Sequence, residues 1–198
     1  MSVSGFVGAL ALIVALGAAD AEEAAQPAVW SPHVLIIDLH DLPKRYTCDE
    51  LWYKFRDVLT AIGARADMKI LPYRCERALG AAAHSPKVQL EFSVPRRVQG
   101  QQARVAQVQV QTKSVRLEPG APGHLDNADC ALLNQIRGTL LRSIGSQVTD
   151  FRLNCQAPST GVPPFDLTVR ADVPVTQPAA VVAGAQRASK SELARSGS

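Results

Sequence analysis

The sequence predicts an α+β fold made of two tandem strand–helix–strand–strand repeats. The strands form a mostly antiparallel sheet with both helices on one face, and one disulfide closes each repeat. Two observations carry this reading. Cys48, Leu51, Val58, Leu59, Ile62, Gly63 and Cys75 are matched by Cys130, Leu133, Leu140, Leu141, Ile144, Gly145 and Cys155. The offset is 82 residues through Gly145 and 80 at the last cysteine, as if two residues had left a turn. The second observation is that helical and alternating apolar patterns follow one another in the same order in both halves.

Residues 1–21 read as a secretory signal. Phe6 to Ala19 is an apolar run that spans about 21 Å as a helix, too short for a bilayer core of roughly 30 Å. Ala19, Asp20 and Ala21 give a small-x-small cleavage site with Glu22 as the first mature residue. No Lys or Arg precedes the run, which departs from the usual pattern and leaves an uncleaved anchor or a wrongly chosen start codon as the other reading. After cleavage no membrane-spanning stretch is expected. Residues 22–32 are small, polar and proline-containing, and read as a linker.

The first repeat covers 33–98. Val34 to Leu39 is rich in β-branched residues and reads as a buried strand. Thr47 stands three residues before Glu50, the spacing of a capping box. Leu51, Phe55, Val58, Leu59 and Ile62 then recur on one helical face, and Gly63 occupies the position of a left-handed cap, so a helix covers about 48–62. A strand is expected within Asp67–Cys75, a loop over Glu76–Pro86, and a second strand where Val88, Leu90, Phe92 and Val94 alternate with Gln89, Glu91 and Ser93. The second repeat, 99–174, opens with Val105, Val108 and Val110 alternating with Gln107, Gln109 and Gln111. Its phase slips near Lys113, which predicts a bulge or a break between two strands. Asp129 reads as the N-cap of the second helix, Gly145 as its end, and strands follow at about 147–155 and 165–173. Residues 175–198 read as a disordered tail.

Four cysteines in an exported chain read as two disulfides. A helix of about 22 Å followed by a strand of about 23 Å returns each second cysteine to the start of its helix. This predicts Cys48–Cys75 and Cys130–Cys155. No Cys-x-x-Cys pair at a helix start and no close-spaced ligand pairs are present, so redox and zinc chemistry are not indicated. A formal charge of +3, with basic residues scattered, gives no basis for nucleic-acid binding.

Asp38, His40 and Asp41 form the densest titratable cluster, at a strand end where a metal or a proton could be shared. The other reading is a solvated strand end. His33, His84 and His124 read as exposed loop residues. There is no nucleophile elbow, phosphate-binding glycine loop or paired-carboxylate motif. On the first helix Trp52 lies about 100° from Leu51, and Tyr53 points nearly opposite, beside Arg56. The second helix has Asn134, Gln135 and Arg137 in the places of Trp52, Tyr53 and Phe55. The aromatic shoulder either packs against Trp30 or the other repeat, or forms a contact patch for a partner. The glutamine-rich strand faces are either simply wet or flank an edge that accepts an extended peptide.

The functional expectation is a non-enzymatic periplasmic or secreted protein that binds or scaffolds another envelope or secreted protein. It needs no cofactor, and Trp52, Tyr53 and Arg56 are its candidate contact residues. The alternatives are an exported metal-dependent hydrolase, or a small-molecule binder, using Asp38, His40 and Asp41, and a binder using a cleft between repeats.

Overall fold

Among the described residues, six strands and two α-helices follow in the chain order that the periodicities require. They are β1 (Gln26–Asp38), α1 (Cys48–Ala61), β2 (Lys69–Tyr73), β3 (Lys87–Arg97), β4 (Val108–Leu117), α2 (Cys130–Ile136, continued as a π-helical turn over Arg137–Leu141), β5 (Gln147–Leu153) and β6 (Phe165–Pro174). The computed structural model describes residues 24–75, 85–120, 123–155 and 163–175. The expected signal segment 1–21, most of the loop after Cys75, and the tail beyond Val175 lie outside the described residues.

α1 starts as its sequence dictates. Thr47 Oγ1 accepts from the Glu50 N–H at 3.2 Å, and the Glu50 carboxylate accepts from the Thr47 N–H at 2.9 Å. Gly63 ends it in a left-handed conformation, φ +84°. A Cβ there would lie 2.6 Å from the Asp172 carbonyl oxygen, so the close approach of α1 to β6 requires glycine. The start of α2 differs from expectation. Asp129 makes no side-chain cap to its own helix; Asp126 caps a preceding 3-10 turn (Asn127–Asp129) through the Ala128 N–H, and the Asp129 carboxylate accepts from the Asp126 N–H at 2.7 Å. Asp129 is instead committed to the neighbouring half, as described below.

The strands form one antiparallel sheet in the order β2-β3-β1-β4-β6-β5. Disulfides join Cys48 to Cys75 and Cys130 to Cys155, each tying a helix start to the end of the strand region that follows. Each constrains the unfolded chain and contributes about 2–4 kcal/mol. They are compatible with an oxidising, exported compartment. No helix among the described residues is long and apolar enough to cross a membrane.

One continuous core lies between the helices and the sheet. It contains Ile37 of β1, Leu51, Phe55, Val58 and Leu59 of α1, Val88, Leu90 and Phe92 of β3, Leu132, Leu133, Ile136 and Leu140 of α2, and Phe165, Leu167 and Val169 of β6.

Three strand readings are corrected. Val34–Leu39 is buried on one face only, because Val34 and Ile36 point to solvent. β1 begins at Gln26, so most of the expected linker 22–32 is strand despite Pro27 and Pro32. Proline is tolerated in a strand where its missing N–H faces no ladder partner. Pro32 stands opposite Ser93, whose carbonyl points to Arg65 on the far side of β3, so the backbone nitrogen of Pro32 faces away from the ladder. β4 contains no bulge, since its register with β6 is unbroken from Val110–Pro174 to Leu117–Leu167. The register shift falls in β5, between Val148 and Asp150. The slip in β4 reflects a change in which face is covered. Leu117 faces the helices, whereas Val110 is buried on the other phase, at the junction with β1.

That junction is short, pairing Gln26, Pro27 and Ala28 with Val110, Gln109 and Val108. β3 and β6, two strands apart in the sheet order, nevertheless meet there: Arg97 Nε donates to Asp172 Oδ1 at 3.0 Å, and Thr112 Oγ1 donates to the same oxygen at 2.9 Å. The sheet therefore bends sharply where its two halves join.

A second carboxylate ties the far strands. Asp166 on β6 is buried and accepts from Arg116 of β4 at 2.9 and 2.7 Å and from Arg152 of β5 at 2.6 Å. The Arg116 bond is the main cause that holds its carboxyl down at about 2, against the usual 3.8. A carboxyl depressed by folding adds stability that is complete above its unfolded value and is lost as pH falls through the folded one. We expect the wild type to lose stability between about pH 4 and pH 2 through this group, and Asp166→Asn to flatten that part of the curve. Chemical denaturation at a series of acid pH values measures it, and identical slopes would contradict the assignment.

Candidate functional site

The helical period divides α1 into two working faces. Leu51, Phe55, Val58 and Leu59 point into the core, while Tyr53 points away from it and is 41% exposed. Trp52 sits half-buried on the shoulder between them. Its ring meets that of Tyr53 edge to face, with centroids 5.0 Å apart. Arg56 lies one turn on, three and four residues from the two aromatics, which places it on the same surface. Its guanidinium is 4.8 Å from the Trp52 ring centroid and 5.0 Å from that of Tyr53. The structure thus brings together the three residues expected to form a patch. Trp30, the partner considered for this shoulder, has the Arg65 guanidinium 5.8 Å from its ring.

The second half completes the patch. His124 stacks on Tyr53 with centroids 5.0 Å apart. The His124 backbone N–H donates to Asp57 Oδ2 at 3.0 Å, and its ring Nδ1 contacts the same oxygen. Arg56 donates to the other oxygen of Asp57 at 3.3 Å. Burial pulls the Asp57 carboxyl up, but the His124 and Arg56 hydrogen bonds outweigh it and hold the group below the usual aspartate range. Gly123 makes this possible: its φ is +50°, and a Cβ would lie 2.3 Å from Asp57 Oδ2. The Asp57–His124 pair resembles half of a hydrolytic relay. Among the described residues no serine, threonine or cysteine side chain is hydrogen-bonded to His124; the pair clamps α1 to the loop before α2.

Directly beneath, Lys54 is turned inward and only 3% exposed. Its ammonium donates to Asp129 Oδ2 at 2.6 Å, to the His124 carbonyl at 2.6 Å and to Asp126 Oδ2 at 3.3 Å, which uses all three of its protons. Tyr46 donates to the other oxygen of Asp129 at 2.9 Å. Burial and then the Asp129 carboxylate push the Tyr46 phenol up, so it stays a donor. Lys44 adds ion pairs to Asp126 at 3.2 Å and Glu50 at 3.4 Å.

The Asp38, His40 and Asp41 cluster is arranged differently from a ligand set. The Asp38 carboxylate pairs with Lys87, His40 Nδ1 lies 3.2 Å from the Asp38 main-chain oxygen, and Asp41 sits on an exposed turn at φ +53°. Among the described residues no three His, Cys, Asp or Glu side chains are placed to hold a metal ion. Two of the histidines read as loop residues have structural partners. His124 belongs to the clamp, and His33 lies within β1, stacked on Phe92 with centroids 5.4 Å apart. Partial burial lowers the His33 pKa. His84 lies outside the described residues.

Lys54, Asp57, His124, Asp126 and Asp129 were not singled out as a unit from sequence. One signal pointed to them. Lys54 interrupts the apolar stripe three residues after Leu51 and four before Val58, where a cation needs a buried carboxylate. Which carboxylate it meets is a long-range fact. Lys54→Met leaves the Asp129 charge buried without its cation and should cost about 3 kcal/mol or more. Adding Asp129→Asn removes the stranded charge and should recover part of that loss. Urea denaturation of the two variants reads this, and a loss under 1 kcal/mol for the single variant would show that the pair does not lock the halves, given that about 3 is expected.

No protein-family model matches this chain, and neither a curated protein nor a solved structure is found similar to it.

Proposed function

We propose that this is an exported, non-enzymatic protein that binds or scaffolds another envelope or secreted protein through the outer face of α1. The observation that carries the reading is the stack of Trp52, Tyr53 and Arg56, held at 4.8–5.0 Å on a surface that remains open to solvent. Trp, Tyr and Arg are the side chains that most often dominate binding energy at interfaces. Here they are braced by His124 from the opposite half, so little side-chain freedom is left to lose on docking. Two intrachain disulfides agree with an exported life.

We also propose that the chain arose by duplication of a strand–helix–strand–strand unit. The 82-residue offset supports this, as does a sheet order in which each half contributes its first, last and middle strands from the centre outward. Each disulfide lies within one half.

Two measurements test the reading. N-terminal sequencing of the protein recovered from an expressing cell should begin at Glu22, and a chain starting at Met1 in the cytosol would refute export. Trp52→Ala/Tyr53→Ala should keep the circular dichroism of the parent and lose at least about 2 kcal/mol of partner affinity, roughly thirtyfold. Tagged protein captured from envelope extract with unchanged partners would remove this face as the contact surface.

A further inference from the structure

β1 carries an unused main-chain edge. The Leu39 N–H donates to the Pro86 carbonyl, so the odd-numbered residues of β1 turn their polar backbone groups toward β3. The even-numbered ones turn away. The Ala28 carbonyl accepts from Gln107 of the chain leading into β4, after which β4 no longer accompanies β1. Both ends of the remaining edge are stopped. At one end the Trp30 N–H is taken by Gln107 Oε1 at 3.2 Å and Pro32 has no N–H. At the other, the side chain of Gln135 bonds both the N–H and the C=O of His40, and His40 Nδ1 occupies the Asp38 carbonyl. Between these stops the N–H groups of Val34, Ile36 and Asp38 and the C=O groups of Pro32, Val34 and Ile36 have no partner among the described residues.

The side chains beside this edge are apolar. Val34 is 74% and Ile36 54% exposed, and no lysine or bulge protects the strand as edges usually are. Asp38 is already paired with Lys87, and Asp41, which has no partner among the described residues, gives the window an acidic end.

We propose that this edge accepts an extended segment of another protein by strand addition. Apolar residues at alternate positions of the segment lie against Val34 and Ile36, and a lysine or arginine meets Asp41 at the end of the window. A second copy fits less well. Two-fold pairing with Val34 opposite Ile36 sets Asp38 against Pro32, which has no N–H to donate across the seam. It also brings two α2 helices to one seam, because Gln135 and the π-helical turn already lie beside β1. This surface is separate from the α1 patch, so either can fail without the other.

The probe is a labelled peptide of about nine residues, alternating valine and threonine with lysine at both ends. In the free monomer the Val34 and Ile36 amides should exchange rapidly, and the peptide should slow them about tenfold or more. Val34→Lys/Ile36→Lys should keep the melting temperature, since both side chains are exposed, and weaken the peptide at least about tenfold. Replacing the peptide's lysines with glutamates should weaken it too. Val34 and Ile36 amides already protected in the monomer would mean that the chain fills its own edge, and would overturn the proposal. So would a concentration-dependent dimer that the peptide cannot displace, binding that the double-lysine variant leaves unchanged, or no protection at millimolar peptide.

Discussion

A buried ammonium holds this molecule's two halves in one arrangement. Lys54 comes from the first half and Asp129 from the second, and both are almost wholly removed from water. Withdrawing the two charges from solvent costs about as much as their attraction returns, so the pair adds little net stability against an apolar substitute. What it adds is selectivity. Any other docking of α1 against the loop before α2 leaves a charge buried and unpaired, at a cost of several kcal/mol. The fit is completed by the His124 carbonyl, Tyr46 and Asp126, which satisfy the remaining donors and acceptors.

The surface above inherits its rigidity from that arrangement. Lys54 draws the His124 carbonyl inward, Asp57 fixes the His124 ring, and the ring lies against Tyr53. The aromatic stack is therefore neither a property of α1 alone nor of the loop alone. Its open side differs from the corresponding face of α2, where Asn134 and Gln135 stand in place of Trp52 and Tyr53. Gln135 has a different task, sealing the end of β1 at His40.

The halves meet in the sheet through only three residue pairs. So short a ladder lets the sheet bend until β3 and β6 touch through Arg97 and Asp172. The same shortness leaves the rest of β1 with one strand neighbour among the described residues. An antiparallel strand covered by helices on one face usually carries polar side chains on the other. β1 instead sets Val34 and Ile36 in water, beside an edge with no partner strand among the described residues.

Local chemistry was readable along the chain. The Thr47–Glu50 box, the glycine after each helix, the alternation in β3 and β6, and the pairing of each cysteine with the next all follow from spacing, because each depends on residues close in sequence. The α+β class follows from the same patterns. Other features were settled only by contacts far apart in the chain. Proline content hid the first seven residues of β1, since Pro32 turns its nitrogen away from β3, and sequence does not show which way a strand residue's backbone faces. The change of phase in β4 looked like a bulge because burial switches face at Val110, where the halves meet. Asp129 had the spacing of a cap, yet Lys54 claims it, and the lysine is 75 residues away. Periodicity therefore determined the elements and their staples. The meeting of the halves decided which carboxylate neutralises the buried cation, which aromatics stay exposed and which edge stays open, because those outcomes depend on long-range geometry that no local pattern encodes.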